Sequence, residues 1–154
     1  MTARIRDCLG QAGATWREIE HEETPTSADS ARARGESMSI GGKALVIKVG
    51  KTLGLFVLPA DRRLSARALR QHLGERRSRF ATQEELLERT GLVPGSVPPF
   101  GRPVLDLPLY VDQHTWDSER IAFNAGSLTL SFILPSADWR AAVKVEDVFE
   151  FSLQ

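Results

Sequence analysis

The chain of 154 residues carries 20 lysine and arginine residues against 20 aspartate and glutamate residues, so its formal net charge is zero. Hydrophobic residues make up 42% and charged residues 26%, which is typical of one soluble domain spanning residues 1–154 and excludes a chain-wide cationic clamp for nucleic acid. The single cysteine excludes an internal disulfide and fits a cytoplasmic location, and no apolar run is long enough to cross a membrane.

The first half of the sequence predicts two helices and a β-hairpin. The elements predicted before residue 62 are a helix over 2–12, a strand over 15–21, a helix within 24–35, and strands over 43–50 and 52–60. Thr26 or Ser27 can cap the second helix, Asp29 favours its positive end, and Gly35 ends it. The tight turn at Gly50 joins the two strands.

The second half continues with helices and further strands. The elements predicted here are helices over 65–74 and 82–91, strands over 108–116, 120–126 and 128–134, a helix over 135–143 and a strand over 147–154. Ser65 can cap the first of these helices, and Thr82 with Glu85 forms a capping box on the second. Strands outnumber helices, and hairpins are more evident than long crossovers. The pattern therefore predicts an α+β domain with a mixed, mainly antiparallel sheet.

The segment TGLVPGSVPPFGRPVLDLP (90–108) is rich in glycine and proline but also in apolar side chains. Gly95 and Gly101 allow a ligand to approach the backbone closely, while Pro98 and Pro99 stiffen the chain. A stiff loop loses little entropy on binding, so its backbone amides can act as preorganised donors. The same composition also suits a rigid connection with no ligand.

Two further features could carry chemistry. Lys43 opens an otherwise apolar strand directly after two glycines. Its ammonium group could extend into solvent, or it could be fixed at the sheet end to meet a phosphate or a developing oxyanion. The turn FNAGS (123–127) could be a simple hairpin connection, or its small residues could admit a ligand to the backbone.

Several common kinds of site are excluded. The histidines His21, His72 and His114 are scattered, no cysteine pair exists, and no HExxH spacing occurs. A metal site is therefore not expected. No serine lies in a GxSxG elbow, and no GK[ST] follows a phosphate loop.

Five segments, taken in order, resemble the YbaK/prolyl-tRNA synthetase editing-domain family. They are HEETPTSADSARARG, GGKALVIK, LPADRRLSARALRQHLG, FATQEELLERTGLVPGSVPPFG and IAFNAGS, and the resemblance covers residues 20–152. It implies a barrel-like α+β fold with surrounding helices and a free-standing, trans-editing hydrolase that requires no metal and no organic cofactor. Such an enzyme is an aminoacyl-tRNA deacylase, which hydrolyses the aminoacyl ester of mischarged tRNA. The expected amino acid is a small one, and tRNA-Pro is one of the tRNAs that could carry it.

The resemblance also implies roles for individual residues. Lys43 matches a lysine that binds the terminal adenosine phosphate or places the ester, so it is the expected catalytic residue. His21 matches a histidine that precedes the second helix, although the EETP that follows departs from the usual apolar-proline pattern. The residues expected to form the substrate site are Thr26, Gly95, Ser96, Val97, Pro98, Pro99, Phe100, Gly101, Asn124, Ala125, Gly126 and Ser127.

Two functional hypotheses follow. The first is a deacylase, and the second is a non-catalytic module that binds an aminoacyl- or nucleotide-like ligand. Both require Lys43, the Gly95 loop and Asn124 to border one pocket; otherwise the loop is a rigid connection in a structural domain. The expected partners are the 3′ acceptor end of aminoacyl-tRNA and an aminoacyl-tRNA synthetase, with no DNA and no membrane. The arginines of 62–70 and 74–79 offer either a local basic surface for phosphates or a solvated helix face.

Overall fold

The computed structural model describes all of residues 1–154 and contains six α-helices and ten β-strands. The helices are α1 Thr2–Gln11, α2 Ser27–Arg34, α3 Ala66–Leu73, α4 Gln83–Thr90, α5 Gln113–Trp116 and α6 Ser136–Ala142. The strands are β1 Arg17–Glu20, β2 Gly42–Val49, β3 Thr52–Pro59, β4 Arg63–Leu64, β5 Ser78–Phe80, β6 Leu109–Asp112, β7 Arg120–Asn124, β8 Leu130–Pro135, β9 Asp147–Phe149 and β10 Ser152–Leu153. A short 3-10 turn, Met38–Ile40, precedes β2.

The strands form three sheets and confirm the predicted α+β class. The largest sheet has the order β5-β2-β3-β6-β9, a second has the order β1-β8-β7, and β10 pairs with β4. Pairing is antiparallel except between β3 and β6 and between β6 and β9. The hydrogen-bonded ladders remain separate sheets and do not close into the expected barrel. Gly41 and Ala122 form a single bridge that brings the start of β2 beside β7.

Strand β3 is buried on both faces, which explains its unbroken apolar sequence. Leu55 and Val57 point into the larger core cluster, whereas Phe56 and Leu58 belong to a smaller cluster on the other side. Helix α3 covers that second side through Leu69. The five-stranded sheet therefore lies between two apolar layers, with the start of β2 at its edge.

The glycine- and proline-rich loop contributes apolar side chains to the core. Six of the 20 residues in the larger core cluster come from this one segment: Leu92, Val97, Phe100, Val104, Leu105 and Leu107. Their burial holds the loop against β6 and β7 without regular backbone hydrogen bonding. The stiffness predicted from the prolines is therefore reinforced by packing.

The helix caps predicted from the sequence are present. The side chains of Thr26, Ser65 and Thr82 each accept a hydrogen bond from a backbone N–H in the first turn of the helix that follows. Thr82 and Glu85 complete the capping box. Gly35 ends α2 in the left-handed conformation at φ 70°, where a side chain would be strained. None of the six helices is both long and apolar enough to span a bilayer.

Two predicted strands are wrong in part, and Asp112 is involved in both corrections. The predicted strand 108–116 ends at Asp112, because this carboxylate caps the short helix α5 through the His114 N–H at 3.1 Å. The predicted strand 147–154 is split into β9 and β10, which belong to different sheets. Between them, the Phe151 N–H donates to the buried Asp112 carboxylate at 2.7 Å.

Gly101 has no space for a side chain, so we expect Gly101→Ala to lower the free energy of unfolding by about 1–3 kcal/mol. A Cβ here would lie 2.8 Å from the Leu107 carbonyl oxygen and 2.9 Å from the Leu109 Cβ. Gly10→Ala is the matched control, because nothing lies within 4 Å of its Cβ and helix α1 gains up to about 1 kcal/mol. Urea unfolding measures both; equal effects would show that packing around Gly101 is loose.

Candidate functional site

A cavity of about 430 Å³ opens where α2, the start of β2 and the Gly95 loop meet. Helix α2 contributes its N-terminal turn, including Thr26, and its C-terminal residue Arg34. Strand β2 contributes Lys43, and the opposite wall carries Gly95 and Asn124. The structure thus confirms that Lys43, the Gly95 loop and Asn124 border one pocket.

Lys43 occupies the cavity wall as a half-buried cation without a carboxylate partner. Its Nζ donates to the Arg62 carbonyl oxygen at 3.3 Å, and it forms no salt bridge. Burial lowers the pKa of the Lys43 ammonium from its ordinary value. A single long hydrogen bond leaves the remaining N–H groups of the ammonium available to a ligand.

Arg34 is a second cation in the same cavity, and it is more deeply buried than Lys43. Its Nε donates to the Ser131 hydroxyl at 2.9 Å and its Nη2 to Asn124 Oδ1 at 3.1 Å. Its Nη1 makes no hydrogen bond within the protein and lies beside Gly41, 3.7 Å from where a Cβ would stand. Burial lowers the pKa of the guanidinium to about 10, so Arg34 stays charged at neutral pH.

Asn124 connects the two sides of the cavity. Its Oδ1 accepts from Arg34 and from the Ser131 hydroxyl at 3.1 Å, and its Nδ2 donates to the Gly95 carbonyl oxygen at 2.8 Å. The neighbouring Gly126 N–H donates to the Ser96 carbonyl oxygen at 3.0 Å. The turn after β7 therefore fixes the position of the Gly95 loop relative to Arg34.

Two backbone amides of the loop lack a partner at residues that line the cavity. The N–H groups of Gly95 and Val97 make no hydrogen bond within the protein, and both residues line the cavity. The intervening Ser96 N–H bonds to Val93, and Pro98 and Pro99 have no N–H to offer. The donors that the loop can give to a ligand are therefore these two amides.

The remaining predicted loop and turn residues do not line the cavity. Phe100 lies in the core at 5.5 Å from the Phe123 ring, and the Pro99 carbonyl oxygen accepts from Trp139 Nε1 at 3.0 Å. Ser127 borders a separate shallow pocket beside His21. The predicted site residues outside the cavity wall are Ser96, Pro98, Pro99, Phe100, Gly101, Ala125, Gly126 and Ser127.

Thr26 lines the cavity, whereas His21 lies outside the lining. The Thr26 hydroxyl is engaged in capping: it accepts from the Asp29 N–H at 3.1 Å and donates to the Asp29 carboxylate at 2.7 Å. His21 does not line the cavity, but its Nε2 shares a 2.7 Å hydrogen bond with the Ser131 hydroxyl. His21 thereby supports the Ser131 hydroxyl, which bonds Arg34 and Asn124.

The cavity is electropositive and contains no side chain suited to act as a general base. Its charged lining residues are Arg34 and Lys43, and no aspartate, glutamate or histidine lines it. The N-terminal turn of α2 adds the positive end of a helix dipole. No group of three or more histidine, cysteine or acidic side chains is placed to hold a metal. This arrangement favours an anion or a polarised carbonyl group as ligand.

Residues 21–142 match the family model described as an aminoacyl-tRNA editing domain. The chain belongs to this family. The reaction class of this editing domain is accordingly hydrolysis of an aminoacyl ester, as the sequence predicts, and aminoacyl-tRNA is its substrate class. All of the cavity-lining cations and amides described above fall within the matched range.

Individual relatives agree with this assignment. ProXp-y of Escherichia coli (strain K12), a multifunctional Ser/Thr-tRNA deacylase, is 37% identical over 144 residues, covering 88% of this chain and 84% of that protein. Proline–tRNA ligase of Shouchella clausii (strain KSM-K16) is 33% identical over 118 residues, which cover 75% of this chain and 20% of the ligase. A crystal structure described as a candidate trans-editing enzyme for prolyl-tRNA synthetase has a TM-score of 0.83 at 25% identity, covering 99% of this chain and 97% of that one.

Proposed function

We propose that this editing domain hydrolyses the ester of tRNA mischarged with a small amino acid, with serine and threonine as the first candidates. The observation that supports it most is the convergence of Lys43, Arg34 and the Gly95 and Val97 amides on one cavity without a carboxylate. Donors from three separate elements surround a space of about 430 Å³, which suits a small aminoacyl group and part of the terminal ribose.

The donors match the charge that develops during ester hydrolysis. Attack by water converts the neutral ester carbonyl into a tetrahedral oxyanion, which N–H donors held in place stabilise more than they stabilise the ester. The amides of Gly95 and Val97 and the Lys43 ammonium are the donors available for this oxygen. Arg34 Nη1 is a further donor, for the oxyanion or for the phosphate that precedes the terminal adenosine.

A strong protein base is not required for this reaction. An aminoacyl ester is already activated, so placing the water correctly supplies much of the acceleration. The vicinal ribose hydroxyl of the terminal adenosine lies next to the ester and can relay a proton from the attacking water. The absence of histidine and carboxylate from the cavity lining is therefore compatible with catalysis.

Hydroxyl groups on one wall favour a hydroxylated substrate side chain. Thr24, Ser27 and Ser30 line the cavity along the start of α2, and the hydroxyls of Thr24 and Ser30 bond to each other. The lining also contains three apolar side chains, Leu45 on β2 and Val97 and Leu128 on the opposite side. A serine or threonine side chain can bond to the hydroxyl groups and pack its carbon atoms against an apolar side chain, and the name of the bacterial relative points to the same two amino acids.

A panel of mischarged tRNAs tests the proposal, with tRNA-Pro among the acceptors because a proline–tRNA ligase is among the relatives. We expect seryl and threonyl esters to be hydrolysed at least tenfold faster than alanyl or cysteinyl esters, since one buried hydrogen bond is worth about 1–2 kcal/mol. Rates are measured as loss of labelled amino acid from tRNA, corrected for spontaneous hydrolysis. Equal rates for all four esters would contradict the hydroxyl-wall argument.

The alternative expected from the sequence, a non-catalytic binding module, is disfavoured by membership of a hydrolase family, although the cavity holds no side-chain base. Such a module would bind a stable aminoacyl-adenosine analogue but leave every mischarged tRNA intact. Calorimetric titration with the analogue, alongside the deacylation panel, separates the two functions. Association with an aminoacyl-tRNA synthetase stays a prediction from the sequence, which co-purification with the synthetase would test.

A further inference from the structure

A groove of about 560 Å³ at the far end of β2 collects five basic side chains and no acidic one: Lys48, Arg70, Arg76, Arg77 and Arg79. The whole chain is neutral, so this concentration of positive charge is local. The first of the two arginine-rich stretches, 62–70, is divided between the groove and another part of the surface. Arg70 and the arginines of 74–79 join the groove, whereas Arg62 bonds to Ser152 near the C-terminus.

Most of the charge in the groove is not compensated within the protein. Arg79 pairs with Glu85 at 2.6 Å, and Arg70 bonds to the Ser78 hydroxyl at 2.9 Å. Lys48, Arg76 and Arg77 form no salt bridge and no side-chain hydrogen bond. The nearby Glu75 carboxylate lies beside Gly50 without pairing with any of them.

The backbone holds these cations together although they repel one another. Lys48 and Arg79 stand directly opposite each other on the antiparallel strands β2 and β5, a pairing of like charges that destabilises a sheet. The Gly50 N–H donates to the Arg77 carbonyl oxygen at 2.8 Å, which ties the arginine-bearing turn to the β2–β3 hairpin. A polyanion bound in the groove would offset this repulsion.

We propose that this basic groove, defined by Lys48, Arg70, Arg76, Arg77 and Arg79, binds the phosphate backbone of the double-stranded part of the tRNA whose 3′ end occupies the cavity. The inference rests on the proposed function. Lys43 in the cavity and Lys48 in the groove are five residues apart on β2, which is about 17 Å along an extended strand, and this odd spacing directs their side chains to opposite faces of the sheet. A tRNA acceptor end is longer than this separation, and it must pass around the β5 edge of the sheet to reach both places.

Such contacts would set affinity without reading sequence. Double-stranded RNA is recognised mainly through its shape and its phosphate and ribose groups, and arginine and lysine side chains are suited to phosphates. The groove would then bind many different tRNAs with similar affinity, while the cavity would determine which amino acid is hydrolysed. Binding should weaken steeply with salt, since each phosphate contact releases condensed counterions.

The test compares two double variants that change the net charge equally. Arg76→Glu with Arg77→Glu reverses two exposed cations of the groove, and Arg67→Glu with Lys144→Glu reverses two exposed cations outside it. Binding of uncharged tRNA is followed by fluorescence anisotropy as a function of NaCl concentration. We expect the groove variant to bind at least tenfold more weakly at low salt, with a log–log salt slope reduced by about 2, and the control variant to resemble wild type.

A second readout distinguishes docking from damage to the cavity. The kcat/KM for full-length seryl-tRNA is divided by that for seryl-adenosine, a single nucleoside that cannot span the distance of about 17 Å to the groove. We expect this ratio to fall at least tenfold in the groove variant. The proposal would be overturned by an unchanged ratio, or by an equal loss of tRNA affinity in both double variants. It would also be overturned if the wild type bound phosphatidylglycerol vesicles but not tRNA. If wild type hydrolyses neither substrate, the proposed function fails, while the anisotropy comparison still decides whether the groove binds tRNA.

Discussion

Lys43→Ala should lower kcat for deacylation of seryl-tRNA about 100-fold and leave the fold intact. Loss of one donor aimed at a developing oxyanion typically reduces kcat by about 10²–10³-fold. The fold should tolerate the change because Lys43 is half-buried, forms no salt bridge, and contributes one 3.3 Å hydrogen bond to the Arg62 carbonyl oxygen. Steady-state deacylation at saturating substrate measures kcat, and the midpoint of thermal unfolding reports the fold.

Lys51→Ala is the matched control, because Lys51 is exposed in the turn after β2 and lies outside the cavity. It removes the same charge and should leave kcat within about twofold of wild type. A wild-type rate in Lys43→Ala would remove Lys43 from the mechanism and leave the Gly95 and Val97 amides with Arg34 as the remaining donors. A large loss of thermal stability in Lys43→Ala would show that Lys43 is needed for the fold.

Local sequence signals predicted five of the six helices and most strands, because caps and apolar periodicity act over a few residues. The capping box at Thr82 and Glu85 is an example. Helix α5 and strands β4 and β5 were not predicted.

The two errors at Asp112 have different causes. Residues 113–116 alternate well enough for a strand, but Asp112 caps a helical turn there through the His114 N–H, two residues away, so a local capping signal was outweighed by the alternation. The break in the final strand follows from a distant contact, because the Phe151 N–H donates to the same carboxylate across 39 positions.

The candidate site was predicted in part. Lys43, Gly95, Val97 and Asn124 line the cavity as expected, whereas Phe100 and its neighbours belong to the core. Apolar residues in a glycine- and proline-rich loop cannot be assigned to a pocket wall or to a core from the sequence alone, since both are apolar environments. The distinction depends on what packs behind the loop.

Arg34 was missed for a related reason. It lies in the last turn of a short polar helix, SADSARAR, where a basic residue ordinarily complements the helix dipole in solvent. Its burial follows from the way α2 packs beside β7 and β8, which places Ser131 and Asn124 within hydrogen-bonding distance of the guanidinium. Polar residues at separations of 90 and 97 in sequence give no local signal.

Arg34→Met should lower kcat/KM for deacylation about 100-fold while changing the free energy of unfolding by less than about 1 kcal/mol. The activity should fall because the cavity loses the Nη1 donor and half of its positive charge. Stability should be preserved because methionine keeps an unbranched side chain and removes a desolvated charge that has no carboxylate partner. Ser131 and Asn124 retain their mutual hydrogen bond at 3.1 Å.

Arg32→Met is the control on the same helix, since Arg32 is 77% exposed and pairs with Asp29 at the surface. We expect it to match wild type in both deacylation and urea unfolding. Arg34→Lys separates charge from geometry: it keeps a cation but cannot bond Ser131 and Asn124 simultaneously, so its rate should lie between those of wild type and Arg34→Met. Arg34→Met could instead lower the free energy of unfolding by more than about 3 kcal/mol and leave the rate per folded molecule unchanged. The guanidinium would then stabilise the packing of α2 against β8 through Ser131 and would not take part in deacylation. Lys43 and the loop amides would be the donors to the substrate.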